Sequence, residues 1–298
     1  MKLEQPVTIL LRRQGARGDV LLATGVVREL YQKYQGQCQI DVATDFADVF
    51  TDNPYVNCVH ATAEIPDVDY DIVINLDNSY ERNPGDSIVD NYNMRAFGTV
   101  NVNGEAELFL SDAGHRAIAD IVQNKIAADF ICIHMRNWHW QMKNIVPEVW
   151  MTVISKILDQ RPDFKIVCVG GETDYYPAGH PRILDARGLP MQHLSCLLDH
   201  AKCFVGIDSA PFHVAGTSQT HIVALLSHMN PATVLPVRNG QSGHNCTVIQ
   251  AKVSCCGCHS RQPRPVSKIS CEQPASDQFL CNRAWDTDEI AAAIIKQL

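Results

Sequence analysis

The stretch VTILLRRQGARGDVLLATGVVRELYQKY (residues 7–34) decides the expected fold. Its first seven residues form a β-rich apolar run, and the loop QGARGD (14–19) carries two glycines that permit a tight turn. Apolar residues then recur at helical spacing from Leu22 to Leu30. A strand, a glycine-containing turn and a helix in this order predict the start of a βαβ unit in a parallel sheet.

Further strands are predicted at QIDVAT (39–44) and YDIVINL (70–76). Residues 77–107 are polar and rich in Asn and Gly, and they are too long for an ordinary connection. We therefore expect a functional loop region or an irregular subdomain there. A helix is predicted near residues 113–126.

The alternation of strands and helices then restarts. The predicted strands cover residues 129–135, 164–171, 203–208 and 221–227, and the predicted helices cover 147–161, 191–201 and 286–298. Two successive α/β halves predict two Rossmann-like domains that face each other across a cleft. We expect an N-terminal domain over 1–118 and a C-terminal domain over 119–298, with a cysteine-rich tail segment at 253–283.

Composition indicates a globular protein and a small or neutral substrate. The 298 residues are 46% hydrophobic and 19% charged, and no apolar run reaches the roughly 18–20 residues that cross a bilayer. The net charge of −8 gives no long-range attraction to polyanions, so nucleic-acid binding would need a local basic patch. The N-terminal MKLEQPVTILLRR lacks signal-peptide features, which predicts a cytoplasmic protein.

The segment GIDSAPFHVAG (206–216) places an acid, a hydroxyl, a proline and a histidine at the end of a predicted strand. Asp208 or Ser209 suits a helix N-cap, and Pro211 suits the first turn. The backbone N–H groups at such a strand end favour an anion such as a diphosphate. An ordinary helix cap explains the same residues.

The loop that ends at Asp19 allows two interpretations of that carboxylate. Asp19 either caps the first helix or lies at the cleft, where it can accept a proton from an acceptor hydroxyl. The loop matches neither the dinucleotide-binding glycine pattern nor a P-loop.

The segment HMRNWHWQMKNIVPEVW (134–150) follows the first strand of the second half. Arg136 and Lys143 are candidates for neutralising phosphates. Trp138, His139 and Trp140 offer rings on which a base, a sugar or a partner domain could stack, although packing on their own domain is the alternative.

Five of the twelve cysteines fall in the last 44 residues. Cys255 and Cys258 form a C-x-x-C pair, and Cys271 and Cys281 complete a possible four-thiolate set for structural zinc or another thiolate-binding metal. Cys256 or His259 could substitute for one ligand, and free or disulfide-linked cysteines are the alternative. The basic residues that follow, Arg261, Arg264 and Lys268, could meet an anionic acceptor or form a solvated loop.

Five motifs in order resemble glycosyltransferase family 9, the heptosyltransferase-like enzymes, which adopt the GT-B fold. They are ILLRRQGARGDVLLATGVVREL, NPYVNCVH (53–60), MKNIVPEVW, IVCVGGETDY (166–175) and the block LDARGLPMQHLSCLLDHAKCFVGIDSAPFHVAG with its continuation TSQTHIVALL. The cysteine-bearing tail is similar to that of some members.

The resemblance implies an inverting transfer from an ADP-, UDP- or GDP-sugar without a catalytic metal. It makes Asp19 the candidate general base, with Arg17 and Gly18 in the acceptor-side loop. The donor-binding candidates are Arg136, Lys143, Glu172, Asp208, Ser209, Ala210 and His213. A metal-dependent GT-A enzyme would need Asp-x-Asp after an apolar strand, but DVDYD (67–71) precedes its strand and DTDE (286–289) reads as a helix cap.

The chain departs from the family pattern in two ways. Ala210 replaces the usual glycine, and the acceptor-side half is short. The acceptor is therefore open: a lipopolysaccharide core sugar, another glycan, or a hydroxylated base in DNA. Peripheral contact with a membrane is open as well. Two other function classes also remain, a non-catalytic sugar-nucleotide-binding protein and a nucleotide-sugar epimerase.

Overall fold

The computed structural model describes residues 6–136, 141–261, 271 and 273–298, and two parallel sheets organise this part of the chain. The first sheet has the strand order β3-β2-β1-β4 with every pairing parallel. Its strands are β1 (Val7–Arg12), β2 (Cys38–Ala43), β3 (Cys58–His60) and β4 (Ile72–Asn75).

The second sheet is larger and is also parallel. Its strands are β5 (Phe130–His134), β6 (Lys165–Val169), β7 (Ile183–Asp185), β8 (Cys203–Gly206) and β9 (His221–Leu226), and a short antiparallel pair, β10 (Val237–Arg238) and β11 (Gln241–Ser242), precedes the last strand β12 (Cys246–Gln250). The order is β12-β9-β8-β5-β6-β7.

Helices connect the strands. They are α1 (Arg17–Lys33), α2 (Ser79–Arg82), α3 (Ile88–Phe97), α4 (Asp112–Asp120), α5 (Pro147–Gln160), α6 (Met191–His200), α7 (Ala210–Gly216), α8 (Pro231–Val234) and α9 (Thr287–Ile295). A π-helical stretch, Ile121–Ile126, continues α4, and 3₁₀ turns lie at Ala47–Phe50, Gln141–Lys143, Cys258–Arg261, Ala275–Asp277 and Leu280–Asn282.

Most predicted elements occur near their expected positions, but residues 77–107 are more regular than their composition suggested. Ser87 caps α3 by accepting a hydrogen bond from the Asp90 N–H, and Gly98 ends the helix at φ +71°. The Tyr92 side chain of this helix is buried. The Asn- and Gly-rich composition reflects the caps and turns around a packed helix.

The second sheet is buried on both faces, as crossover helices require. Along β5, Phe130 and Cys132 face one core, while Ile131 and Ile133 face the other. The first core continues through α1 and α7 into the first sheet, whereas the second core packs against α5 and α9. The domain division at residue 118 remains a prediction. In the described ranges, no helix combines the length and apolar character that a bilayer crossing requires.

Candidate active site

A cavity of about 1150 Å³ lies where the carboxyl ends of strands from both sheets meet. Arg13 and Asp77 line it from the first sheet, directly after β1 and just after β4. His134, Gly170 and Asp208 line it from the ends of β5, β6 and β8. Open α/β sheets bind ligands at this edge, and the volume is sufficient for a drug-sized or larger ligand.

Asp19 projects into the cavity from the first turn of α1. The interpretation of Asp19 as the N-cap is wrong, because Ala16 occupies that position and Asp19 is the third helical residue. Its Oδ2 atom accepts hydrogen bonds from the Arg13 guanidinium at 2.8 Å, the Tyr80 hydroxyl at 3.1 Å and the Ala16 N–H at 3.1 Å. No described residue donates to Oδ1, so one oxygen is held and the other can accept a proton.

The two acceptor-loop candidates, Arg17 and Gly18, are the first two residues of α1. Arg17 is half exposed, pairs with Asp48 at 3.6 Å and lies over the Phe46 ring. Gly18 is buried against α7: a Cβ atom there would lie 2.9 Å from the His213 ring and 3.3 Å from the Ala210 Cα. Only a residue without a side chain fits this approach unless His213 moves.

The opposite wall is built by the turn into α7. Ser209 is the N-cap, its hydroxyl accepts the Phe212 N–H, and Pro211 lies in the first turn, as predicted. Asp208 accepts a 2.7 Å hydrogen bond from the Lys143 ammonium, and its second oxygen lies 3.4 Å from His213 Nε2. Burial opposes ionisation of Asp208, yet Lys143 and the neighbouring histidines hold its pKa well below the usual range.

The structure brings nearly all the donor-side candidates into one cavity. Arg136, Lys143, Asp208, Ser209, Ala210 and His213 line it together with Asp19. Burial lowers the pKa of Arg136. The usual pKa of arginine is so high that the guanidinium keeps its positive charge. Trp138, His139 and Trp140 lie outside the described residues, as do Arg264 and Lys268.

Glu172 is the exception, because its side chain does not line the cavity. It is exposed and lies beside Gly188, where an added Cβ would meet its Cγ at 3.2 Å. Its neighbours Thr173 and Asp174 line the cavity instead. The turn after β6 reaches the site through Gly170, Gly171, Thr173 and Asp174, but not through Glu172.

A buried hydrogen-bonded chain joins Asp174, His134 and Ser209, and sequence reasoning missed it. His134 Nε2 lies 2.9 Å from Asp174 Oδ2, and Nδ1 lies 3.0 Å from the Ser209 hydroxyl. Burial lowers the pKa of His134, so the neutral ring donates from Nε2 to Asp174. Its Nδ1 atom and the Ile207 carbonyl, 2.9 Å from the Ser209 Oγ, compete for the one proton of the Ser209 hydroxyl. Gly170, at φ +127°, leaves the room that this pair occupies. The Gly-Gly pair after β6 was the available signal.

His228 and His259 form a second missed feature behind Asp208. Burial and the nearby Lys143 charge lower the pKa of His228 to about 3. Its ring lies 6.0 Å from that of His259, and the backbone N–H of His259 donates to the His228 carbonyl at 2.8 Å. Both line the cavity, so the cysteine-rich tail segment contributes directly to its wall.

The four predicted metal ligands gather in the same part of the fold. Burial, followed by the charges of Cys255, Cys258 and Cys271, raises the pKa of Cys281 to about 11. Gly257, at φ +76°, turns the chain between the two cysteines of the C-x-x-C pair. Among the described residues, no three His, Cys, Asp or Glu side chains are arranged as ligands of one metal ion.

Solved structures of the GT-B class share this architecture, with mixed α/β domains built on parallel sheets. A family 9 glycosyltransferase from Veillonella parvula DSM 2008 superposes with a TM-score of 0.73 at 15% identity, covering 100% of this chain and 99% of that one. The iron-containing dodecameric glycosyltransferase TibC from enterotoxigenic E. coli H10407 gives 0.71 at 17% identity, with 100% and 80% covered. The E. coli heptosyltransferase WaaC with ADP gives 0.63 at 12% identity, with 98% and 100% covered. The chain therefore has the GT-B fold.

The family model of glycosyltransferase family 9 (heptosyltransferase) matches residues 188–264. This match spans α6, β8, α7 and the turn that carries Asp208 and Ser209, so the resemblance predicted from the sequence is confirmed. No curated protein sequence matches the chain significantly.

Proposed function

We propose that the protein is an inverting glycosyltransferase that moves a sugar from a nucleotide-sugar donor to a hydroxyl acceptor without a catalytic metal. The observation that carries this proposal is the meeting of Asp19 with the Asp208–His213 wall in one cavity. Gly18, which precedes the candidate base, is packed directly against the turn that begins with the candidate donor residues.

The chemistry follows from Asp19. Its Oδ1 atom accepts the proton of the acceptor hydroxyl while that oxygen bonds to the anomeric carbon and the bond to the nucleoside diphosphate breaks. A single displacement of this kind inverts the anomeric configuration. The leaving diphosphate carries the negative charge away, and Arg136 and Lys143 provide positive charge on the cavity wall.

The donor half of the proposal is supported by structural relatives. One structure of TibC is described in complex with ADP-D-β-D-heptose, and WaaC structures contain ADP or ADP-2-deoxy-2-fluoro heptose. We propose an ADP-sugar as the first donor to test, bound by the domain over 119–298. The acceptor is proposed to bind the domain over 1–118, beside Arg17.

A thermal-shift panel of ADP-, UDP- and GDP-sugars identifies the donor, because a ligand of the folded state raises the apparent stability by mass action. The best donor is then incubated with glycan acceptors and with hydroxymethylated DNA, and ¹H NMR gives the anomeric configuration of the product. Inversion supports the proposal, whereas retention contradicts it. Conversion of the donor in the absence of an acceptor would indicate an epimerase. Donor binding without turnover on any acceptor would indicate a non-catalytic protein.

Asp19→Asn tests the base. We expect a loss of transfer of at least about 10²-fold, the lower range for general-base catalysis, with donor binding retained. Asp112→Asn, in the first turn of α4 and outside the cavity, is the matched control and should keep full activity. A folded Asp19→Asn protein with full transfer activity would remove Asp19 from the mechanism.

We also propose that Cys255, Cys258, Cys271 and Cys281 hold a structural metal ion. Cys255, Cys258 and Cys271 lie near enough to Cys281 for their charges to raise its pKa. Four thiolate ligands suit zinc or iron, and the relative TibC is described as iron-containing. Elemental analysis of the purified protein should find about one ion per chain for such a four-thiolate site. Cys281→Ser should lose the ion and lower the melting temperature, and Cys58→Ser, an exposed cysteine in β3, should do neither. A full metal content in Cys281→Ser would contradict the assignment.

A further inference from the structure

The candidate base shares its only described arginine partner with a second carboxylate. The Arg13 guanidinium donates to Asp19 Oδ2 and to Glu81 Oε1, both at 2.8 Å. A second nitrogen donates to the Leu76 carbonyl at 3.0 Å and lies 3.5 Å from Glu81 Oε2. The arginine side chain is only 2% exposed. This cation is therefore pinned between two carboxylates and the end of β4.

Two tyrosines complete the group. The Tyr80 ring lies 5.3 Å from the Arg13 Cζ, and the Tyr92 ring lies 5.7 Å from it on α3. Burial, followed by the charge of Asp19, raises the pKa of Tyr80 well above its usual range. The Tyr80 hydroxyl thus stays protonated and donates to Asp19 Oδ2.

A buried arginine with one carboxylate partner would make that carboxylate a poor base. An opposite charge within about 4–6 Å lowers a carboxyl pKa by roughly 1–3 units, and a like charge acts in the other direction. Glu81 supplies the like charge and engages the same guanidinium with both oxygens. The fold therefore places a compensating charge where a proton acceptor needs one.

We propose that Glu81 and Tyr80 are positioning residues for the base, and that this role rests on the proposed function of Asp19. Glu81 shares the Arg13 guanidinium and so keeps Asp19 able to accept a proton. Tyr80 holds Oδ2, which leaves Oδ1 turned toward the acceptor hydroxyl. Both residues belong to the short helix α2, in the segment expected from its composition to be irregular.

The groups that surround Asp19 come from every element packed against it. They are Arg13 after β1, Arg17 on α1, Asp77 after β4, Tyr80 and Glu81 on α2, Tyr92 on α3 and His213 on α7. Among these, Glu81 and Tyr80 act on the proton affinity of Asp19 in opposite directions. Neutralising Glu81 removes a negative charge that favours the protonated form of Asp19. Removing the Tyr80 hydroxyl takes a hydrogen bond away from the ionised form.

The test is a ¹³C NMR titration of the Asp19 carboxyl in the full chain, with the resonance assigned by its loss in Asp19→Asn. Glu81→Gln should move the titration midpoint down by roughly one pH unit, and Tyr80→Phe should move it up. Matched controls are Glu29→Gln, which neutralises the partner of Arg28 at 3.1 Å, and Tyr70→Phe, which removes a hydroxyl that donates to Asp41 at 2.8 Å. Neither control should move the midpoint.

The same variants are then assayed with the donor found by the binding panel. The acid limb of kcat should shift in the direction of each NMR midpoint, while KM for the donor stays unchanged. Midpoints that match the wild type in both variants, or that move in the same direction, overturn the inference. If the NMR shifts occur but Asp19→Asn retains transfer, the proposed function fails while the electrostatic arrangement stands.

Discussion

Replacing Lys143 by Met should destabilise the protein strongly, because it removes the closest cation from a buried carboxylate. The ammonium lies 2.7 Å from Asp208 Oδ2, and the Asp208 side chain is 7% exposed. Breaking a buried ion pair by deleting one partner costs about 3–5 kcal/mol. The Lys143 side chain is 17% exposed and His213 remains near Asp208, so the lower end, about 3 kcal/mol, is expected. In a chain of 298 residues, that corresponds to a fall in melting temperature of roughly 5 °C.

The pH dependence of this loss has a definite sign. In the wild type, Asp208 has a lowered pKa, so its contribution to stability is complete above the unfolded pKa of about 3.9 and is lost as the pH falls through the folded value. Without Lys143, the largest influence that lowers the pKa of Asp208 is absent, so this pKa should rise and protonation should relieve the variant at a higher pH. The two melting temperatures should therefore converge as the pH falls from 7 to 5.

Differential scanning fluorimetry over this pH range measures both quantities. Adding Asp208→Asn to the Lys143 variant should restore part of the lost stability, because the uncompensated charge is then absent. Lys202→Met is the control, since the Lys202–Asp129 pair is 3.4 Å long and largely exposed. A difference in melting temperature that stays constant with pH would refute the reasoning, as would a variant as stable as the wild type.

Three further changes probe other parts of the site. Gly18→Ala should cost about 1–3 kcal/mol by overpacking against His213 and should weaken donor binding, measured by urea unfolding and calorimetry. His228 has a folded pKa of about 3, below its unfolded value of about 6.5, so the free energy of unfolding falls as the pH drops below about 6.5. His228→Gln should therefore flatten the fall of the urea midpoint between pH 6.5 and 4. Ser209→Ala should lower the free energy of unfolding by about 1 kcal/mol because the N-cap is lost, and by a further amount because the hydrogen bond with His134 is lost. An unchanged urea midpoint would contradict both roles.

The parts of the fold that could be predicted from sequence are those with local signals. The Ser209 cap followed by Pro211 was readable because capping depends on neighbours within three residues. Strands β3 and β7 were missed because each has three residues and too little alternation to stand out. The helix α3 was hidden by the polar composition of its surroundings.

In the candidate site, too, the residues with local sequence signals could be predicted and their distant partners could not. Asp19 and Asp208 could be selected because each follows a strand at a glycine-containing turn. The partners that control them could not, since Glu81 lies 68 residues from Arg13 and Asp174 lies 40 residues from His134. Such pairs are created by the register of the parallel sheets, which no local pattern records.

Ala210 stands where the family resemblance expects a glycine, and its backbone packs closely against Gly18. The turn of α1 meets the turn of α7 at Gly18, which lies 3.3 Å, measured from an added Cβ, from the Ala210 Cα. The residue that follows Gly18 is the candidate base, and the residues before Ala210 form the candidate donor wall. Packing between two backbones thus sets the distance between the candidate base and the candidate donor wall, so any opening of the cavity along this line must separate Gly18 from Ala210. Acceptor activation and donor binding are for that reason expected to respond together to substitutions at this contact.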